Sequence, residues 1–308
     1  MSWDSATGSL GLPATLDLDA SLARFSRHGD DLMDRWDGTI FLRPFRIRDR
    51  VGAVRLRRLG RARLRLQVDT DSGKTSGALT TCLQSMFVDE EAALLDLAVR
   101  DPVIAELRAL HPGVFPVRTL DPLAALLSIV TAQQINLAVA LSFRRTILLR
   151  LGQRIAIGED FVMAPDPDRL ASASDEDWAA VRFSRSKARC LAALGLAVSS
   201  GELSFQELES AGNEEVRARL MELPGLGPWT ASQYLTRVLG RPVVVADDLG
   251  VRKAIQLGYR LPVIPSALEV LRITEDYGPA AFTAQQLLLY HLSRASSPRS
   301  VLGVGGAA

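Results

Sequence analysis

The residues best able to do chemistry lie close together in Leu220–Ile255, which reads LMELPGLGPWTASQYLTRVLGRPVVVADDLGVRKAI. Two adjacent carboxylates, Asp247 and Asp248, follow the apolar, strand-like run Val243-Val244-Val245 and precede a helix beginning at Leu249. One of them is placed to cap that helix, and a cap need have no further role. A carboxylate at a helix N-terminus also stays ionised, because backbone amides and the helix dipole favour the anion. In a cleft, such a group stabilises a developing sugar cation or polarises the water that attacks it. Upstream, Leu223-Pro224-Gly225-Leu226-Gly227 ends one helical run, and Pro228 opens the next at the first-turn position that proline favours. Glycines at 225 and 227 permit positive φ and remove side-chain bulk. Their amides can then face outward at a helix N-terminus, an anion site made of backbone donors. The same five residues also suit a purely structural helix–turn–helix corner.

These groups need elements to hold them. Leu22, Phe25, Leu32 and Met33 share a helical face within Leu18–Trp36. Thr39–Arg48 and Ala53–Val68 then alternate apolar residues with arginines at period two, as half-buried antiparallel strands do, with Gly52 and Gly60 as punctuation. The arginines at 43, 46, 48, 50, 55, 57, 58, 61, 63 and 65, with Asp49 the one acid among them, suit a phosphate-tracking surface. They suit better the solvent face of a sheet whose inner face is Val54, Leu56, Leu64 and Leu66. After Asp89 strand signals nearly vanish. Helical patterns follow over Glu90–Leu110 (broken at Asp101-Pro102), Leu123–Leu151, Trp178–Ser199, Ser204–Ala211, Glu214–Glu222, Trp229–Leu239, Leu249–Leu257, Ala267–Tyr277 and Phe282–Arg294. The expected architecture is mainly α. A small mixed α/β antiparallel-sheet domain (residues 15–90) precedes an all-helical domain (91–298), and residues 1–14 and 299–308 are expected to be flexible.

Composition narrows the function classes. Hydrophobic residues make up 47% and charged residues 23%, which excludes a mainly disordered chain of this length. The two cysteines, Cys82 and Cys190, are too few for a disulfide scaffold, a four-cysteine zinc site or an iron–sulfur cluster, and both look inert. His28, His111 and His291 show no metal spacing and read as isolated. A net charge of +1 supplies no global basic field, so polyanion binding would rest on a local patch or on backbone donors. No apolar run reaches the length of a membrane span, and the N-terminus lacks the pattern of a secretory signal. The expected setting is cytoplasmic and nucleoid-associated.

The order helix, LPGLG hairpin, helix beginning Trp-Thr-Ala, apolar run and Asp resembles the helix-hairpin-helix DNA glycosylase superfamily, and within it the 3-methyladenine DNA glycosylase II type. Ser128–Leu141 (SIVTAQQINLAVAL) is similar to that family's helix with a Gln-rich element, and the α/β region before the helices also fits. The likeness spans residues 20–295, with 223–253 the specific part. It implies a helical core of two lobes around a cleft. It further implies a monofunctional glycosylase of base excision repair, hydrolysing the N-glycosidic bond of alkylated, 3-methyladenine-like purines flipped from duplex DNA.

Carried onto this sequence, the resemblance makes Asp248 the catalytic acid and Leu223, Pro224, Gly225, Leu226 and Gly227 the DNA-clamping hairpin. Gln133 and Gln134 enter the minor groove. The backbone carbonyls of Met221, Leu223 and Leu226 match those that hold a structural Na⁺ or K⁺, and no cofactor is needed for catalysis. Trp229 stands where bifunctional members carry the lysine of a Schiff base, a chemistry an indole cannot perform but for which it substitutes stacking on a flipped base. Gln233 replaces a pocket aromatic, with Tyr234 adjacent; Phe282 offers a further stacking face; Asn136 stands where serine is usual. The expected partner is damaged double-stranded DNA, bound by a monomer without membrane contact. Two alternatives remain: a non-catalytic helix-hairpin-helix DNA-binding protein, and a same-fold glycosylase for another damaged base.

Overall fold

The computed structural model describes residues 2–4, 8–26, 29–48, 50–59 and 65–295. Six antiparallel strands form one sheet in the order β1-β2-β6-β5-β4-β3. They are β1 (Ser2–Asp4), β2 (Ser9–Gly11), β3 (Arg35–Trp36), β4 (Ile40–Ile47), β5 (Arg50–Leu59) and β6 (Arg65–Thr70). The N-terminal segment, expected to be flexible, thus supplies two strands, and Leu10 is wholly buried. Its affinity for the sheet follows from pairing: Leu10 lies opposite Leu66 of β6, and the apolar side chain enters the sheet's core. Val54, Leu56 and Leu66 form the inner face as expected. Asp49, Gly60, Arg61, Arg63, Leu64, His28 and Gly303–Ala308 lie outside the described residues.

Two expectations for this region are corrected. Leu18–Trp36 is not one helix. A short helix, α1 (Leu18–Leu22), runs into a single 3-10 turn at Ala23–Phe25, after which Leu32 takes a positive φ of 69°. Leu32 and Met33 are buried in a different core from Leu22, so a shared face is replaced by a bent segment bridging two cores. The arginines are not simply a solvent face either. Arg43 is fully buried, donating to Asp34 Oδ1 at 2.9 Å and to the Arg118 carbonyl at 2.9 Å. Arg46 reaches Asp121 Oδ1 at 3.0 Å and the Pro165 carbonyl at 2.9 Å. A fully buried guanidinium persists only with partners of this kind.

The helical part begins with α2 (Gly77–Gln84), α3 (Glu91–Arg100) and α4 (Pro102–Leu110), the last two divided by the Asp101 cap and Pro102. Next come α5 (Pro122–Ala132) and α6 (Leu137–Leu151), which break the expected 123–151 helix at Gln133–Asn136. Asn136 caps α6 through the Ala138 amide, a local reason for the break. The all-helical expectation then fails: β7 (Gly152–Ile157) and β8 (Asp160–Pro165) form a second, two-stranded sheet turned at Gly158, whose φ is +61°. Ile157 and Val162 pack with Leu42 and Ala53 of the first sheet, which is what this hairpin gains by extending.

The chain continues through α7 (Pro167–Ser172), α8 (Asp175–Val181), α9 (Arg185–Ser199), α10 (Phe205–Ser210) and α11 (Asn213–Met221). It ends with α12 (Pro228–Arg237), α13 (Leu249–Gly258), α14 (Ala267–Ile273) and α15 (Ala281–Ala295). Two helical cores result. One gathers α5, α9 and α12, and the other α3, α4, α13 and α15. On α12, Ala231, Tyr234, Leu235 and Val238 point into the first core at helical spacing. Trp229, on the opposite face, packs against the second. The site lies where the two lobes meet.

Candidate active site

Asp248 sits at that seam, half-buried, as the N-cap of α13. Its Oδ1 accepts from the Val251 amide at 3.0 Å. Its Oδ2 accepts from the Trp229 indole Nε1–H at 2.9 Å and from the Gln233 side-chain amide at 3.0 Å. Oδ2 therefore has both lone-pair directions engaged, whereas Oδ1 keeps one for a reacting group. Gly250 makes room: a Cβ there would meet Asp248 Oδ1 at 2.9 Å. Asp247 is exposed.

The run before Asp248 is not a strand. Among the described residues it pairs with no strand, and the Val245 amide instead donates to the buried Gln285 Oε1 of α15 at 2.7 Å. The Asp248 amide then turns back onto the Val245 carbonyl at 3.0 Å. A buried side chain thus replaces the ladder and fixes the approach to the carboxylate. Gln285 was not singled out in the sequence, where it reads as one polar residue in an apolar helix.

The hairpin joins α11 to α12. Gly225 has φ +85°, and a Cβ there would come within 3.0 Å of Cys190 Cβ, so this glycine is required twice over. Gly227 differs from expectation: its φ of −105° is extended backbone, and nothing lies near its missing Cβ. The Gly225 and Gly227 amides take no acceptor among the described residues. Cys190 is buried beneath the turn, where burial pushes its thiol up to about 11. It is a packing residue rather than a nucleophile.

Gln133 and Gln134 stand at the break between α5 and α6, beside the hairpin. Gln133 Nε2 donates to the Gly225 carbonyl at 3.1 Å and to Thr230 Oγ1 at 3.2 Å, so it is a strut between the two loops. The Gln133 carbonyl accepts from Lys187 Nζ at 2.6 Å. Gln134 is exposed in the left-handed region, φ 57°, an uncommon conformation for a residue with a Cβ. It is the member of the pair presented outward.

A cavity of about 400 Å³ opens beside the carboxylate's helix. Gly250, Arg237, Tyr290, Phe25, Asp34 and Arg144 are among the groups that line it. Trp229, Gln233 and Arg237 follow one another at four-residue intervals, so all three lie on the α12 face turned to the site. Two expected pocket residues are corrected here. Tyr234 lies one position off that face, is wholly buried in the first core, and leaves its hydroxyl without a partner. Phe282 is 2% exposed at the start of α15 and does not line the cavity. Aromatic lining comes instead from Phe25 and Tyr290.

His111 and His291 are not isolated. Their Nε2 and Nδ1 lie 3.0 Å apart, and the His111 ring meets Tyr290 edge-on. Among the described residues no group of three or more metal-ligating side chains occurs, and no helix is long and apolar enough to cross a membrane.

The six-stranded sheet, the two helical lobes and the hairpin whose following helix bonds a capped aspartate through Trp229 match the helix-hairpin-helix DNA glycosylase fold. The comparison with solved structures bears this out: a 3-methyladenine DNA-glycosylase from Archaeoglobus fulgidus superposes with a TM-score of 0.78 at 21% identity, over 94% of this chain and 99% of that one. Within that class the chain resembles the 3-methyladenine type. It is 24% identical over 271 residues to the DNA-3-methyladenine glycosylase of Bacillus subtilis (strain 168), covering 85% of this chain and 89% of the relative. It is 34% identical over 117 residues to DNA-3-methyladenine glycosylase 1 of Schizosaccharomyces pombe, covering 37% of this chain and about half, 51%, of that relative. No protein-family model matches the chain.

Proposed function

We propose that this chain is a DNA glycosylase of base excision repair that hydrolyses the N-glycosidic bond of a damaged, alkylated purine flipped from duplex DNA. The observation that carries the reading is Asp248, held by three donors with one lone-pair direction free, bonded to Trp229 just after the hairpin and two residues before Gly250, which lines a cavity of about 400 Å³. That volume lies within the range of about 300–1,000 Å³ typical of ligand pockets.

The outward Gly225 and Gly227 amides would grip a phosphate, and Gln134 would fill the stack vacated by the extruded base. As the bond from C1′ to the base lengthens, its electron pair leaves with the base and positive charge grows on the sugar. Asp248 stabilises that charge and orients a water. The water oxygen bonds to C1′, its proton passes to the carboxylate, and the products are free base and an abasic site. The reaction is monofunctional in this reading, because Trp229 occupies the place of a Schiff-base lysine. Nearby Lys187 has its ammonium on the Gln133 carbonyl, and Lys253 is exposed on α13.

No donor among the described residues reaches the Met221 or Leu226 carbonyl, while the Leu223 carbonyl accepts only the Leu226 amide, at 3.2 Å. Such oxygens fit a hard monovalent cation, which would add positive charge toward the phosphate. The decisive experiment is base release from methylated duplex DNA. Asp248→Asn is expected to lower the single-turnover rate by several orders of magnitude while abasic-DNA affinity stays within a fewfold. Full activity in that variant would remove the assignment, and would return the chain to the non-catalytic DNA-binding alternative.

A further inference from the structure

The charges lining the cavity do not cancel. Asp31 is taken by Arg144 at 2.7 Å, and Asp34 by the buried Arg43 at 2.9 Å. Two guanidiniums bordering the same space are left without a carboxylate partner among the described residues. Arg24 has a long contact to the Val117 carbonyl, 3.4 Å, and the Phe25 ring at 4.5 Å. Arg237 is half-buried and has no side-chain hydrogen bond or ion pair among the described residues; it lies one turn beyond Gln233 on the face that holds Asp248. Burial lowers both guanidinium pKa values, Arg24 to about 9; Arg237 lowers Arg24 further while Asp34 raises it, and for Arg237 the Asp248 charge raises it while Arg144 lowers it. Guanidinium donors that face a cavity without a protein acceptor are free to bond what enters it.

We infer that Arg237, supported by Arg24, is a specificity-determining residue that donates to carbonyl or ring-nitrogen acceptors of an uncharged, oxo-bearing purine. The inference rests on the glycosylase reading and concerns the preference among damaged purines. Charge arithmetic gives the direction. An uncharged base departs with the bonding electron pair and becomes negative in the transition state, which a guanidinium stabilises. It then takes a proton from solvent. A cationic alkylated base departs neutral, so its release rests on Asp248 and gains no comparable transition-state stabilisation from the guanidinium.

The test uses the full chain and two duplexes, one carrying hypoxanthine and one carrying 7-methylguanine, under single-turnover conditions. Arg237→Gln is expected to lower the ratio of hypoxanthine to 7-methylguanine rates about tenfold or more, the scale of one hydrogen bond from a charged donor. Because both rates come from the same preparation, partial misfolding cancels in the ratio. Arg24→Gln should move the ratio the same way by less. An unchanged ratio, including a uniform loss on both substrates, overturns the inference and would make Arg237 a support for Asp248. Release of 7-methylguanine without hypoxanthine by the wild-type chain overturns it too. Release of neither base, with Asp248→Asn indistinguishable from wild type, sinks the glycosylase reading itself.

Discussion

At the scale of single residues, the carboxylate has one oxygen fully engaged and the other, Oδ1, held by the Val251 amide alone. Trp229 and Gln233 both donate to Oδ2, so their contribution can be separated from their bulk. Trp229→Phe keeps an aromatic plate but loses the indole N–H, and Gln233→Leu keeps the volume but loses the amide. Each is expected to lower the single-turnover rate about ten- to a hundredfold, as hydrogen bonds to charged groups do. Binding to abasic DNA should change little, which a parallel affinity measurement checks. Equal losses in rate and affinity would show a general collapse of the site instead. Gly250→Ala attacks the other oxygen: its Cβ would meet Oδ1 at 2.9 Å, and activity should fall with α13 still folded by circular dichroism. The histidine pair gives the pH dependence. Burial, then His291, then Arg294 hold His111 below the usual histidine range. The unfolded chain therefore binds more protons below its own histidine pKa, and stability rises with pH through that window and is lost as pH falls. Tm measured from pH 5 to 7.5 should show that slope, and His111→Gln should flatten it.

At the scale of elements, the hairpin separates two glycines that look equivalent in sequence. Gly225→Ala would force a positive φ on a residue with a Cβ and press it on Cys190, costing about 1–2 kcal/mol. Gly227→Ala meets extended backbone and open space, and should leave stability within about 0.5 kcal/mol, as surface changes do. Denaturant melts of the two variants, with duplex affinity alongside, make the comparison. The hairpin and the aspartate were legible in the sequence because each is a local signal: turn residues, a proline at a first turn, a cap. The pocket was not. Its wall joins Phe25 and Asp34 of the N-terminal region to Arg144, Arg237 and Tyr290, and no local periodicity reports a meeting of residues so far apart. Tyr234 was misplaced for a related reason. It adjoins Gln233 in sequence, but one residue on a helix is about 100° of rotation, enough to turn it from site to core. Arg237 could have been found, since the four-residue step from Trp229 through Gln233 reaches it. The hairpin of β7 and β8 was hidden because its apolar residues answer partners on β4 and β5, about a hundred residues earlier.

At the scale of the molecule, the sheet and the helical lobes are fastened by charge as well as by apolar packing. Asp121 is fully buried as the cap of α5, accepting from the Leu123 amide at 2.9 Å and the Ala124 amide at 3.3 Å. Arg46 of β4 closes on it at 3.0 Å and reaches across to the Pro165 carbonyl at the end of β8. The Arg46 amide bonds the Leu120 carbonyl at 3.0 Å beside it. One ion pair thereby sets the start of α5 against both sheets, and α5 ends at the Gln133 strut that braces the hairpin. Asp121→Ala would leave the Arg46 guanidinium without its carboxylate, with only the Pro165 carbonyl, and uncap the helix, at a cost of about 3–5 kcal/mol for the broken pair. Asp121→Asn keeps the cap acceptor but not the charge, and should fall between that variant and wild type. If the pair governs how the lobes are set, glycosylase activity at a temperature where both variants remain folded should drop along with the melting midpoint, although residue 121 touches no part of the site. A loss of stability with activity unchanged would confine the pair to holding the fold, leaving the packing of α5 on α6, α9 and α12 to position the hairpin without it.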